Sequence, residues 1–163
     1  MKKAKRKLLR STHTSLLAAA RQNFERSGCC PPILIFNLRG QRSIVALDHQ
    51  GPDSKSSTVA LIRELIARGA CEYVLVLECW FADAATSTTW RQEHSSLADF
   101  PGRKELVLFL YASPEEEFLL VADISRAEGK AVLGPWQPLG VDASETLLGR
   151  FQGLYRKAKV RDN

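Results

Sequence analysis

Hydrophobic residues recur at helical spacing near the start of the chain. The pattern runs from about Lys7 to Arg26 and predicts an amphipathic helix that stops at Gly28 and Pro31. Its apolar stripe consists of Leu9, Leu16, Leu17, Ala20 and Phe24. We expect this stripe to pack on the body of the fold.

The pattern then changes to that of a hairpin. Residues Ile33–Arg39 and Ser43–Asp48 are rich in strand-forming side chains, and Gly40-Gln41 offers a two-residue turn with glycine first. Gly51–Ser54 predicts a turn and a helix cap, after which a second amphipathic helix ends at Gly69.

The segment Glu72–Phe81 has apolar residues in both of its alternating sets. Because such a strand must be covered on both faces, we expect it to lie centrally in the sheet. Residues 82–102 are polar and follow no period, which predicts a long connection.

Three further strands and a last helix complete the pattern. The strands are expected at Glu105–Tyr111, Phe118–Ser125 and Lys130–Leu133, with turns at Ser113–Glu115 and Glu128-Gly129. The helix is expected to be capped by Asp142 with Glu145, to carry an apolar face from Leu147 to Tyr155, and to include Gly149 and Gly153.

These elements predict an α/β protein of the α+β type. It has a mixed or mainly antiparallel sheet of five to six strands with three helices packed on it. We expect one domain over residues 11–158, a flexible basic start at 1–10 and a tail at 159–163. The element order resembles that of roadblock-type and profilin-type domains, which serve as interaction platforms; the likeness is one of architecture and has no motif behind it.

The positive charge lies at the two ends of the chain. Of 23 basic and 18 acidic residues, six basic ones lie in residues 1–10, and four basic and one acidic lie in 156–163. The intervening body therefore has 13 basic and 17 acidic residues. Binding to nucleic acid would have to use the two ends of the chain, and the candidate residues at the start are Lys2, Lys3, Lys5, Arg6 and Lys7.

The four cysteines form no CxxC pair, which argues against a zinc ribbon or a disulfide framework. The sequence has no P-loop, no dinucleotide-binding glycine motif, no nucleophile elbow and no HExxH pair. We therefore expect reduced thiols, no metal, no cofactor and a cytoplasmic location. The chain has no apolar run long enough to cross a bilayer and no uninterrupted signal sequence, so no membrane partner is expected.

Two carboxylates in apolar strands are the candidates for chemistry. Glu78 shares a strand face with Val76, and Asp123 shares one with Val121. If both reached one pocket, they could act as acid and base, with His49 as a further catalytic candidate. The alternatives are that each pairs with an arginine such as Arg39, Arg91 or Arg126, or lies in water at a strand end.

Aromatic residues near the long connection are the candidates for binding. Trp90, Arg91 and His94 lie in polar surroundings within it, and Trp136 follows a Gly-Pro turn. Side chains of this type anchor protein interfaces. Trp80 is instead expected to fill the core.

Three functions follow from these residues. The first is a non-enzymatic interaction or regulatory module, which could be a homodimer, that contacts a protein partner through an exposed edge strand or through residues 82–102. The second is a small enzyme built on Glu78 and Asp123. The third is a weak nucleic-acid binder that uses its basic termini.

Overall fold

The computed structural model describes residues 11–48, 54–81, 102–139, 151 and 153–155. Two helices and seven strands lie in these ranges. In chain order they are α1 (Ser11–Ser27), β1 (Ile33–Leu38), β2 (Gln41–Ala46), α2 (Ser54–Ala67), β3 (Ala70–Phe81), β4 (Lys104–Ala112), β5 (Glu117–Ala127), β6 (Lys130–Leu133) and β7 (Gln137–Pro138).

All seven strands belong to one antiparallel sheet. Its order is β2-β1-β3-β4-β5, and β6 and β7 pair with different parts of the outer edge of β5. The predicted α+β class and antiparallel sheet are confirmed. The strand number was underestimated because β7 contains two residues, one of them a proline, and has no hydrophobic alternation.

The two helices cover opposite faces of the sheet. Leu17 and Phe24 of α1 pack in one buried cluster with Phe109 of β4. Val59 and Ile62 of α2 pack in the other. This arrangement follows from the period of two along each strand, which sends alternate side chains to opposite faces. Within the described part of the chain, neither helix is long and apolar enough to span a bilayer.

The predicted central strand is confirmed. β3 pairs with β1 on one side and with β4 on the other. Leu75 and Val76, on opposite faces, are 0% and 1% exposed. Burying one such side chain contributes about 1.5–3 kcal/mol, so a strand that is apolar on both faces is most stable between two neighbours.

The first hairpin uses a different turn from the one predicted. Leu38 pairs with Gln41, so the turn residues are Arg39 and Gly40, with φ of 54° and 80°. The expected turn at Gly40-Gln41 was therefore wrong by one residue. Two successive residues with positive φ form the turn whose twist matches that of the strands, and Arg39 adopts this conformation although it is not glycine.

The second such turn was correctly predicted. Glu128 and Gly129 join β5 to β6 with φ of 51° and 76°.

The predicted last helix lies mostly outside the described residues, including its cap at Asp142. Within them, Leu154 and Tyr155 are helical and Gly153 has a φ of 64°. An α-helix has negative φ, so the expectation of one helix continuing through Gly153 is wrong. The Tyr155 hydroxyl donates to the Ala70 carbonyl at 2.8 Å and ties this segment to the start of β3.

Candidate functional site

Three of the predicted functional residues lie in the described part of the chain. Glu78, Asp123 and Trp136 lie within the described residues. The others lie outside them: Lys2, Lys3, Lys5, Arg6, Lys7, His49, Trp90, Arg91 and His94.

Glu78 has a backbone partner. It is partly buried on the α1 face of β3, and its carboxylate accepts a hydrogen bond from the Cys30 amide. Cys30 lies in the connection between α1 and β1, so this bond fixes the connection against the sheet. The bond offsets the cost of partly burying a carboxylate in an apolar strand.

Arg126, one of the arginines that the sequence offered as a partner for Glu78 or Asp123, forms its ion pair with Glu105 instead. Arg126 of β5 donates to the Glu105 carboxylate at 2.7 Å, and its other nitrogen donates to the Gly28 carbonyl at 3.5 Å. The Glu105 hydrogen bond raises the pKa of Arg126, and the charge of Glu78 adds to this effect. These contacts thus join three strands to the end of α1.

Asp123 does not share a pocket with Glu78. Glu78 pairs with Val107, and Asp123 pairs with Leu106. Val107 and Leu106 are adjacent in β4 and point to opposite faces, and paired residues share a face. The two carboxylates therefore lie on opposite faces of the sheet. Asp123 is exposed and lines an open cleft of about 500 Å³.

The exposure of the two tryptophans differs from what the sequence suggested. Trp136, predicted to bind a partner, is partly buried and packs edge-to-face on Phe109, with ring centroids 6.3 Å apart. Trp80, predicted to fill the core, is 43% exposed and carries the Arg103 guanidinium 5.6 Å from its ring centre. The core expectation for Trp80 was wrong: this residue lies one position before the end of β3, and its side chain is exposed there.

A polar cluster under the start of α1 was not predicted. His13 is buried, and its ring centre lies 4.3 Å from that of Tyr111. The Tyr111 hydroxyl donates to Glu72 at 3.1 Å, and Arg42 lies 3.9 Å from Glu72. Burial, followed by the interaction with Glu72, raises the pKa of Tyr111 to about 12.

A cavity of about 10 Å³ borders this cluster, which is room for roughly one water molecule. It is too small for a substrate. The cluster therefore joins α1 to the sheet. Its residues are far apart in the sequence, so they could be identified as a cluster only from the structure.

The cysteines are free thiols in contrasting surroundings. Cys29 and Cys71 are exposed, whereas Cys30 is buried and Cys79 is partly buried. Burial, followed by the nearby Glu78 charge, raises the pKa of Cys30 to about 11. Burial also raises the pKa of Cys79 to about 12. These two thiols are protonated at neutral pH and are poor nucleophiles.

A metal site has no support within the described ranges, where no three histidine, cysteine or acidic side chains come together.

The outer edge of β2 forms one border of the described sheet. Among the described residues, β2 pairs only with β1. Leu47 just beyond β2 donates its amide to the Pro32 carbonyl at 2.9 Å. Since backbone groups in an antiparallel strand alternate in direction, Val45 and Ser43 also face β1, and Arg42, Ile44 and Ala46 face outward.

Within the described part of the fold, the outward-facing side chains of this edge are exposed. Ile44 is 66% exposed, and Arg42 and Ala46 are exposed as well. The sequence pointed to an exposed edge strand in general terms, but the position of β2 at the border required the strand order.

No known protein family, no characterised protein and no solved structure matches this chain.

Proposed function

We propose that this protein is a non-enzymatic interaction module that binds an extended segment of a protein partner along the outer edge of β2. The observation that carries the proposal is the row of outward backbone groups at Arg42, Ile44 and Ala46, beside the exposed Ile44 side chain. Such an edge is a template for an added strand, in which backbone hydrogen bonds supply affinity.

The rest of the described fold supports this proposal. A helix packs on each face of the sheet, and at the opposite end strand, β6, Arg21 of α1 donates to the Leu133 and Gly134 carbonyls. The two carboxylates that would carry acid–base chemistry lie on opposite faces, and Glu78 is engaged by a backbone amide. The β2 edge is thus a surface for which the described fold provides no internal partner strand.

A peptide-display experiment tests the proposal. A random peptide library is selected on the immobilised protein, and the bound peptides are located by changes in amide chemical shifts. We expect extended, apolar peptides that perturb β2. Ile44→Pro should abolish their binding because it removes an outward N–H, whereas Ile44→Thr should retain it because the N–H remains.

Peptides that perturb only other surfaces, or that bind the proline variant as well as the parent, would contradict the proposal. Unchanged amide spectra away from β2 confirm that each variant is folded.

A further inference from the structure

We infer that the partner at this edge is a second copy of the same chain, paired antiparallel through β2 with a two-fold axis at Val45. The inference rests on the proposed function and specifies its partner. The result would be one sheet that continues through two molecules.

The direction of the backbone groups restricts the pairing. Within β2, Arg42, Ile44 and Ala46 direct their backbone groups outward. The hydrogen bond from the Leu47 amide to the Pro32 carbonyl continues this alternation past the end of β2, which gives Asp48 the same direction. A two-fold axis at Val45 sets Ile44 opposite the partner's Ala46, and outward groups then face outward groups. Each facing pair can exchange two backbone hydrogen bonds.

Charge complementarity selects this register. With the axis at Val45, Arg42 lies opposite the partner's Asp48, and symmetry makes this pair twice. Arg42 and Asp48 are both exposed, and their even numbering places them on the same side of the strand. Opposite charges in facing positions stabilise strand pairing.

The neighbouring register loses this complementarity. With the axis at Ile44, Arg42 would face the partner's Ala46, and Asp48 would face the partner's Gly40. Backbone bonding remains feasible there, but Arg42 and Asp48 then face no opposite charge across the two-fold axis. The Val45 register also sets the exposed Ile44 against the partner's Ala46, which covers apolar surface on both copies.

Single charge reversals and their mixture provide the first test, read by sedimentation velocity over a concentration series. Arg42→Asp should weaken self-association by about tenfold or more, because two favourable pairs become repulsive. Asp48→Arg should do the same. An equal mixture of the two variants should associate like the parent, because each unlike pair then restores both attractions.

A cysteine placed at the axis provides the second test. In a background with Cys29→Ser and Cys71→Ser, Val45→Cys should form an intermolecular disulfide with itself, because facing residues at a non-hydrogen-bonded position are close. Ser43→Cys is the matched control. It faces the partner's Leu47 in this register and should crosslink far less.

The outcomes separate the partner from the proposed function. A parent that is monomeric at every concentration, or charge variants that associate like the parent, overturns the homodimer. If library peptides still bind β2 in that case, the interaction module stands with a different partner. If peptides also fail to bind there, both proposals fall.

Discussion

The two ends of the sheet, at β2 and at β6, differ in the contacts that they make with the rest of the fold. The outer edge of β5 is occupied by β6 and β7, and Arg21 of α1 donates to the Leu133 and Gly134 carbonyls at 2.7 and 2.5 Å. The outer edge of β2 has no strand beside it among the described elements. Both edges begin from a hairpin of the same turn geometry.

The difference is that α1 hydrogen-bonds to two carbonyls at the end of the short terminal strand β6, whereas the longer terminal strand β2 carries the exposed Ile44. An exposed edge promotes aggregation unless it is covered, charged or interrupted. β2 contains one charged residue, Arg42, and no proline. A strand edge with so few charged residues and no proline is suited to pairing with another strand. Each substitution below alters one edge of the sheet and leaves the other unchanged.

Proline substitutions at adjacent positions in β2 should give the largest contrast. Val45→Pro removes an N–H directed at β1 and should lower the free energy of unfolding by about 2–3 kcal/mol. Ile44→Pro removes an outward N–H and should cost about 1 kcal/mol or less. Urea unfolding at low protein concentration measures both, and equal losses would contradict the assigned backbone directions.

Removal of the arginine at the covered edge should have the next largest effect. Arg21→Ala leaves two partly buried carbonyls without their donor and should cost about 2 kcal/mol. Arg21→Lys keeps a cation and should recover part of the loss. Unfolding curves measure both variants. An unchanged midpoint in Arg21→Ala would show that the covered edge does not depend on α1.

The hairpin turns should give the smallest effects, and similar ones at the two edges. Gly40→Ala and Gly129→Ala each force a side chain into the left-handed region and should cost about 1 kcal/mol. Arg39→Gly, at the neighbouring positive φ, should cause no such loss. Thermal unfolding compares the three. A loss confined to one hairpin would show that the two turns are not equivalent.

Much of the fold was predictable because local patterns and tertiary packing agree. The apolar alternation of β3 requires cover on both faces, so its central place follows from the residues alone. Glu128-Gly129 is a typical turn sequence, and the turn between β5 and β6 lies at these two residues. For the turn at Arg39-Gly40, the predicted position was wrong by one residue, because arginine rarely adopts a positive φ.

The site was less predictable because it depends on which strands are neighbours. Glu78 was identified as an unusual carboxylate, but its partner is the Cys30 amide, far away along the chain. Trp80 and Trp136 differ from their expected exposure, because the contact of Trp136 with Phe109 depends on which segments pack together in the folded chain. No spacing along the sequence encodes these contacts.

The sequence by itself determined the order of the elements from α1 to β6 and the central place of β3, since hydrophobic periodicity acts on each segment separately. The tertiary structure decided that Glu78 and Asp123 lie on opposite faces, that β5 is covered and that β2 is left at the border. These outcomes depend on strand order and register, which arise from the packing of the whole sheet against both helices and are not a property of any one segment.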